Sequence, residues 1–190
     1  MKYSLFLVAG LFCFCTCFAA DTTQLNNYHN RVLKVFNQCC LLDTQLTESI
    51  KTKSPEDIEH ARIRLLDYAN SGMREIDSIE NFEGDAALKF MCKDVLKFYK
   101  QMAESDIPQV RDFFTVEQNF LRIKKEFEKK PVKKHSQSEI IAYNSEANKY
   151  NQAVTRYNQV TAFIEGARKN TLYNWNASEK IFMDAHRARS

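Results

Sequence analysis

A metal centre is the first chemistry that the residue types allow, because histidines and carboxylates are its usual ligands in helical proteins. Such centres use a Glu-x-x-His spacing that places both ligands on one face of a helix. Among the four histidines, His60 comes closest, with Asp57 three and Glu56 four residues before it. One partial match at the start of a predicted helix is not a full ligand set. The sequence therefore predicts no metal and no other cofactor.

Motifs for nucleophilic catalysis and phosphate binding are also missing. The chain contains neither Gly-x-Ser-x-Gly nor a glycine-rich phosphate loop, and its four glycines are too few to build such a loop. We therefore expect no catalytic site and do not expect an enzyme. The alternative is a helical bundle that holds a small ligand or a metal in its core, as a carrier or an enzyme.

Three cysteines lie outside the apolar N-terminal segment: Cys39, Cys40 and Cys92. Adjacent cysteines on a helix point about 100° apart. A bond between Cys39 and Cys40 would therefore break the helix, which makes Cys92 the better disulfide partner for either. An odd number leaves at least one thiol free or bonded to another chain. The alternative is three small buried side chains without a disulfide, and both interpretations remain open at this point.

The dipeptide Tyr-Asn occurs three times at seven-residue spacing, beginning at Tyr143, Tyr150 and Tyr157. Seven residues make two helical turns, so the three tyrosines share one edge of a helix, as in a coiled-coil seam. This pattern predicts that the rings pack against bulky residues of a neighbouring helix, such as the phenylalanines of the third. The alternative is a ladder of tyrosines open to a ligand or partner, since tyrosine combines contact area with a hydroxyl group.

A basic run spans residues 122–135 and ends at a predicted connection between helices. Its candidate binding residues are Lys129, Lys130, Lys133 and Lys134. They form a possible surface for anionic lipid, cell-wall polymer or an acidic protein. Glu126 and Glu128 interrupt the run, which favours the alternative of a solvated helix end. The net charge of the whole chain is only +3, so we expect no nucleic acid as a partner.

Apolar residues recur every three or four positions, which is the period of amphipathic helices. Only four glycines and three prolines are present, and this scarcity of turn residues argues against a sheet. The pattern predicts four rods at residues 22–52, 55–79, 86–130 and 138–186. A kink is expected near Pro108 in the third rod, because proline has no backbone N–H. Short connections make consecutive rods antiparallel, so we predict an all-α, up-and-down antiparallel helical bundle with a long last helix.

The N-terminal segment has the pattern of a secretory signal peptide. Lys2 is followed by an apolar run that reaches Phe18 and then by small residues. We predict a signal peptide at residues 1–19, cut after Ala19, followed by a single domain at residues 20–190. The apolar run is shorter than the about 20 residues of a membrane span, so we expect no transmembrane helix after cleavage. A lipid anchor on a cysteine of this segment is the alternative, although the preceding residues do not match that motif.

The C-terminal segment, residues 157–186, carries Tyr157-Asn158, Trp175-Asn176, Phe182 and the ending Asp184-Ala185-His186. It resembles the last helix of a family of small, functionally uncharacterised bacterial surface proteins, which are exported, many as lipoproteins. The resemblance implies an all-helical envelope or surface protein and supplies no activity. We therefore expect an exported protein, in the periplasm, at the cell surface or outside the cell. Its role would be binding or structural, with a protein or envelope component as partner.

Overall fold

The computed structural model describes residues 6–188, and for residues 6–21 and residue 132 it describes the backbone alone. These residues form five α-helices, namely α1 (Phe6–Thr52), α2 (Pro55–Ser78), α3 (Ala87–Gln101), α4 (Ile107–Phe127) and α5 (Gln137–Arg187). A π-helical turn joins α3 to α4, so the helices make four rods. The prediction of an all-α helical bundle is confirmed. The third rod ends at Phe127 instead of residue 130.

The predicted signal peptide coincides with the part of the chain that the structure describes least. Residues 1–5 lie outside the described residues, and the side chains of the remainder are not described. Helix α1 begins at Phe6, where the sequence pattern predicted a rod from residue 22. Export and the cleavage site after Ala19 therefore stay predictions. No helix among the described residues has both the length and the apolar character needed to cross a bilayer.

Side-chain caps start α2 and α5, within one residue of the predicted rod starts at 55 and 138. The Ser54 hydroxyl accepts a hydrogen bond from the Asp57 backbone N–H at 3.2 Å, and Pro55 occupies the first position of α2. The Ser136 hydroxyl accepts one from the Glu139 backbone N–H at 3.3 Å, and the Glu139 carboxylate accepts one from the Ser136 N–H at 2.8 Å. These contacts satisfy backbone donors that have no partner inside the helix.

The interruption that Pro108 predicted takes the form of the π-helical turn Met102–Asp106. The Ile107 backbone N–H donates to the Met102 carbonyl, five residues back instead of four. A proline inside a regular helix clashes with the carbonyl of the residue four positions earlier. The wider turn directly before Pro108 shifts the hydrogen-bond register, and the rod continues through it as a single element.

The core lies between α1, α2, the third rod and the C-terminal half of α5. Helices α1 and α5 run antiparallel, since His29 pairs with Glu179 and Phe36 stacks on Trp175 further along. Helix α2 approaches α1 and α3 closely at Gly72, where a methyl group would lie 3.2 Å from both Val35 and Leu96. Glycine therefore sets the spacing of these three helices.

An ionic clamp joins α2 to α4. Glu59 accepts hydrogen bonds from Arg62 in its own helix and from Arg111 in α4, each at 2.8 Å. These bonds, those from Arg62 first, lower the pKa of Glu59 to about 2. The contact holds the first turns of α2 beside α4, at Arg111, which lies about one turn after Pro108.

The connection between α2 and α3 closes one end of the bundle. Glu83 and Gly84 have φ angles of 50° and 80° and form a tight turn. The Phe82 side chain, directly before this turn, packs against the core. The Phe82 ring contacts Tyr28, Phe182 and His186. His186 is only 4% exposed, and its Nε2 lies 3.1 Å from an Asp85 carboxylate oxygen. The end of α5 is thereby attached to this connection.

The opposite end of the bundle is uneven, because α4 and α5 extend past the turn between α1 and α2. The Gln118 side-chain amide donates to the Lys53 carbonyl in that turn at 3.3 Å. From there α4 continues to Phe127, about 15 Å further at 1.5 Å per residue, and α5 returns beside it. We call this two-helix projection, residues 118–150, the arm.

Candidate functional site

The seam between α4 and α5, which runs from the core into the arm, is made of two matching aromatic rows. On α5 they are the predicted tyrosines, and on α4 they are Phe113, Phe120 and Phe127, also spaced by seven residues. Ring centroids are 4.3 Å apart for Phe113 and Tyr157, 4.7 Å for Phe120 and Tyr150, and 4.3 Å for Phe127 and Tyr143. All three pairs are stacked. The antiparallel helices thus meet with the same period, as in a coiled coil.

The packing role that the heptad predicted for the tyrosines is confirmed, since each ring lies on a phenylalanine of the third rod. Tyr143, Tyr150 and Tyr157 are nonetheless only partly buried. Two helices alone leave one side of their seam open, whereas a third or fourth helix would cover it. Tyr157 lies at the base of the arm, against the core residues Phe113 and Phe114. A binding role for the tyrosines stays a prediction.

Two grooves follow the same side of α4 and α5. The groove at the base has a volume of about 350 Å³, and the groove at the tip about 740 Å³. On α5 the lining residues of the two grooves step by three and four positions and form one row, namely Glu139, Ala142, Glu146, Lys149, Ala153 and Arg156. On α4 the lining includes Gln109, Asp112 and Val116 at the base and Ile123 and Glu126 at the tip, with Lys130 just after the helix. From Gln109 to Glu126 the α4 wall is about 25 Å long at 1.5 Å per residue.

His135 closes the tip groove. Its ring stacks on Phe127 with centroids 3.8 Å apart and planes 7° from parallel. Its Nε2–H donates to the Lys130 carbonyl at 3.2 Å, while Nδ1 has no hydrogen-bond partner and lies 3.7 Å from a Glu139 carboxylate oxygen. The side chain is only 2% exposed. His135 therefore holds the connection from α4 to α5 against the seam.

The predicted basic residues divide into two kinds at the tip. Lys129 pairs with Glu126 at 2.7 Å, and Lys130 pairs with Glu139 at 2.6 Å. Hydrogen bonds, that from Lys130 first, lower the pKa of Glu139 to about 2. Within the part of the chain that the structure describes, Lys133 and Lys134 have no carboxylate within 4.0 Å. These two lysines, exposed on the connection, are available to a partner.

The three cysteines lie in or against the core of the bundle, away from the arm. None of them forms a disulfide among the described residues, and Cys39 and Cys92 are buried. The Cys40 sulfur lies 4.0 Å from the Tyr99 hydroxyl, and the Cys92 sulfur 4.0 Å from the Val32 carbonyl. Burial raises the pKa of all three thiols, to about 11 for Cys40 and about 12 for Cys92. In the structure the three cysteines are therefore free thiols, as in the second of the two interpretations of the sequence.

We expect these thiols to be inert in the folded protein, because the reactive form is the thiolate and burial suppresses it. Alkylation of the native protein at neutral pH should leave Cys39 and Cys92 unmodified. Alkylation in denaturant without reductant should then modify all three, as read from the intact mass. A single adduct in denaturant, rising to three after reduction, would instead establish the disulfide.

The residues considered for metal binding are not brought together. Glu56, Asp57 and His60 lie on the exposed face of α2. Among the described residues, no three His, Cys, Asp or Glu side chains approach each other as a ligand set. The alternative of a carrier or enzyme stays a prediction, and the metal content of the purified protein is its direct test.

Comparisons with models of protein families, with curated proteins and with solved structures found no match. The resemblance of residues 157–186 to exported surface proteins therefore stays a prediction. The structure places Trp175 and Phe182 of that segment in the core, where they are 1% and 3% exposed.

Sequence analysis predicted the phenylalanines of the third rod as partners of the tyrosines, but it did not assign individual pairs. Phe113, Phe120 and Phe127 show the same seven-residue spacing as the tyrosines, and this spacing is the signal that pairs the two rows. The structural role of His135 was missed, because this residue was considered only as a possible metal ligand and as the end of the basic run.

Proposed function

We propose that this chain is an exported binding protein of the cell envelope that acts through its arm and has no reactive centre. Its partner is an anionic envelope component or the acidic face of a protein. The arm supports this proposal, because it projects from the bundle and presents a surface that packing inside the chain does not use. Export rests on the signal-peptide pattern of residues 1–19.

The observation that carries the proposal is the concentration of positive charge on the arm. Residues 118–150 contain eight lysines and arginines and four acidic residues, a net charge of +4, which leaves −1 for the rest of the chain. A projecting surface with a net positive charge attracts negatively charged partners. Lys133 and Lys134 lie at its furthest point, in the 3-10 turn Val132–Lys134.

Charge reversal at the tip tests this function. We expect Lys133→Glu with Lys134→Glu to weaken binding to phosphatidylglycerol-containing vesicles or to polyglutamate by about tenfold or more, since each basic residue near an anionic surface contributes about 1 kcal/mol. The matched control is Lys34→Glu with Lys169→Glu, which makes the same change at two exposed positions of the bundle.

Co-sedimentation and its salt dependence are the measurements. Equal losses in both double variants would show a general charge effect without a role for the arm. No binding of the wild-type chain to either probe would refute an anionic partner. The intact mass used for the thiols also tests export, since cleavage after Ala19 leaves a chain that starts at Ala20.

A further inference from the structure

One wall of the grooves has an ordered charge pattern. It is formed by six α5 residues at steps of three, four, three, four and three positions, which keep them on one face of the helix: Glu139, Ala142, Glu146, Lys149, Ala153 and Arg156. The base groove is lined by the last three and the tip groove by the first three. All six are exposed or partly exposed. The face is therefore accessible along about 25 Å of the helix.

This row is complementary to itself when it is read in the opposite direction. Against an antiparallel copy of α5, Glu139 lies opposite Arg156, Glu146 opposite Lys149, and Ala142 opposite Ala153. The steps between the residues are also the same in both directions. A two-fold axis between Glu146 and Lys149 would form each contact twice, as an isologous interface requires.

The sizes of the side chains suit the same arrangement. Ala142 and Ala153 have only methyl groups, so two helices are able to approach closely at these positions. Val116 and Ile123 lie on the α4 wall of the grooves and would flank the second helix with apolar surface. A second helix here would also cover the partly open aromatic seam.

The α4 wall does not share this symmetry. The Phe120–Tyr150 and Phe127–Tyr143 pairs place the level between Glu146 and Lys149 beside residues 122 and 123 of α4. About that level Glu126 falls opposite the neutral Asn119, so α4 lacks the paired charges of the α5 row. We therefore place α5 on the axis and α4 at the side of the interface.

We propose that the occupant of this face is a second copy of the chain, docked antiparallel through Glu139–Arg156 of α5 to form a two-fold symmetric dimer. The inference does not depend on the proposed function, since Lys133 and Lys134 lie outside the row. In the dimer the two tips that carry Lys133 and Lys134 point in opposite directions along the paired α5 helices. Each dimer thus presents two separate basic ends.

The test is the molar mass of the mature chain in solution, measured by light scattering and by sedimentation over a series of concentrations. We expect a mass that rises to twice the chain mass. Ala142→Arg should weaken the dimer by about tenfold or more, because it places a long charged side chain where only a methyl group fits. The control is Asn151→Arg, an exposed change elsewhere on α5, which should leave the dimer intact.

Charge exchange gives a second and independent measurement. Glu146→Lys creates two like-charge pairs across the axis and should weaken dimerisation by about tenfold or more. Adding Lys149→Glu restores both the contacts across the axis and the Glu146–Lys149 pair of each chain, which is 2.6 Å long in the wild type. We therefore expect the double variant to dimerise like the wild type.

Three results would overturn the proposal. The first is a wild-type chain that stays monomeric up to its solubility limit. The second is an equal effect of Ala142→Arg and Asn151→Arg. The third is a charge-exchanged double variant that dimerises no better than Glu146→Lys alone. Circular dichroism of each variant separates loss of the dimer from loss of the fold.

Discussion

Replacing Trp175 by alanine is expected to lower the free energy of unfolding by about 3–5 kcal/mol, as other tryptophan-to-alanine changes in cores do. The indole is 1% exposed and stacks on Phe36 of α1, with ring centroids 4.2 Å apart and planes 11° from parallel. Its removal takes away both the buried apolar area and the contact that joins α5 to α1. The loss is a large part of the total stability of a domain, which is about 5–15 kcal/mol.

Urea denaturation followed by circular dichroism measures this effect. Tyr173→Ala is the matched control, because it removes an aromatic ring two residues away that is 73% exposed. We expect that change to stay within about 0.5 kcal/mol of the wild type. Similar losses for both variants would contradict the assignment of Trp175 to the core and would require a different face of α5 to pack on α1.

Replacing Arg168 by methionine is expected to lower the free energy of unfolding by about 3 kcal/mol. Arg168 donates from Nη2 to a carboxylate oxygen of Asp43 at 2.7 Å, and the Asp43 side chain is only 8% exposed. Methionine keeps most of the apolar length of arginine but leaves the carboxylate buried without a counter-charge. An unpaired buried charge is strongly unfavourable.

The reverse change should cost less. When Asp43 is replaced by leucine, the long side chain of Arg168, which is 21% exposed, is able to turn its charge toward water. The double variant Asp43→Leu with Arg168→Met should recover much of the loss, since an apolar pair often replaces a buried ion pair without destabilisation. Additive losses in this double-mutant cycle would show that the two side chains do not interact in solution.

An exposed ion pair within α5 provides a reference for the stability contributed by the buried Asp43–Arg168 pair. Lys180 contacts Asp184 at 2.8 Å, and the two side chains are 77% and 61% exposed. Pairs of this kind contribute little in water. Lys180→Met should therefore change the stability far less than Arg168→Met, although the two distances are nearly equal.

The helices themselves followed from local patterns. Steps of three and four between apolar residues predicted the rods, and Pro108 predicted the interruption of the third. All of these signals act within a few residues, because a helix hydrogen bond joins residues four apart. The heptad of Tyr143, Tyr150 and Tyr157 predicted packing against a neighbour for the same reason. It did not identify Phe120 and Phe127 as the residues that meet these rings at the arm.

The sequence by itself determined that the protein is a bundle of long helices, where α2, α3 and α5 start to within one residue, and which faces are apolar. Only the tertiary structure decided that α4 and α5 extend beyond the other helices at the end of the bundle that carries the basic run. It also paired Asp43 with Arg168, 125 residues apart, and brought His186 to Asp85. Periodicity states which face of a helix is buried but not which helix covers it or at what height. Those choices depend on side-chain fit between distant segments, as at Gly72, and on the relative lengths of all the rods together.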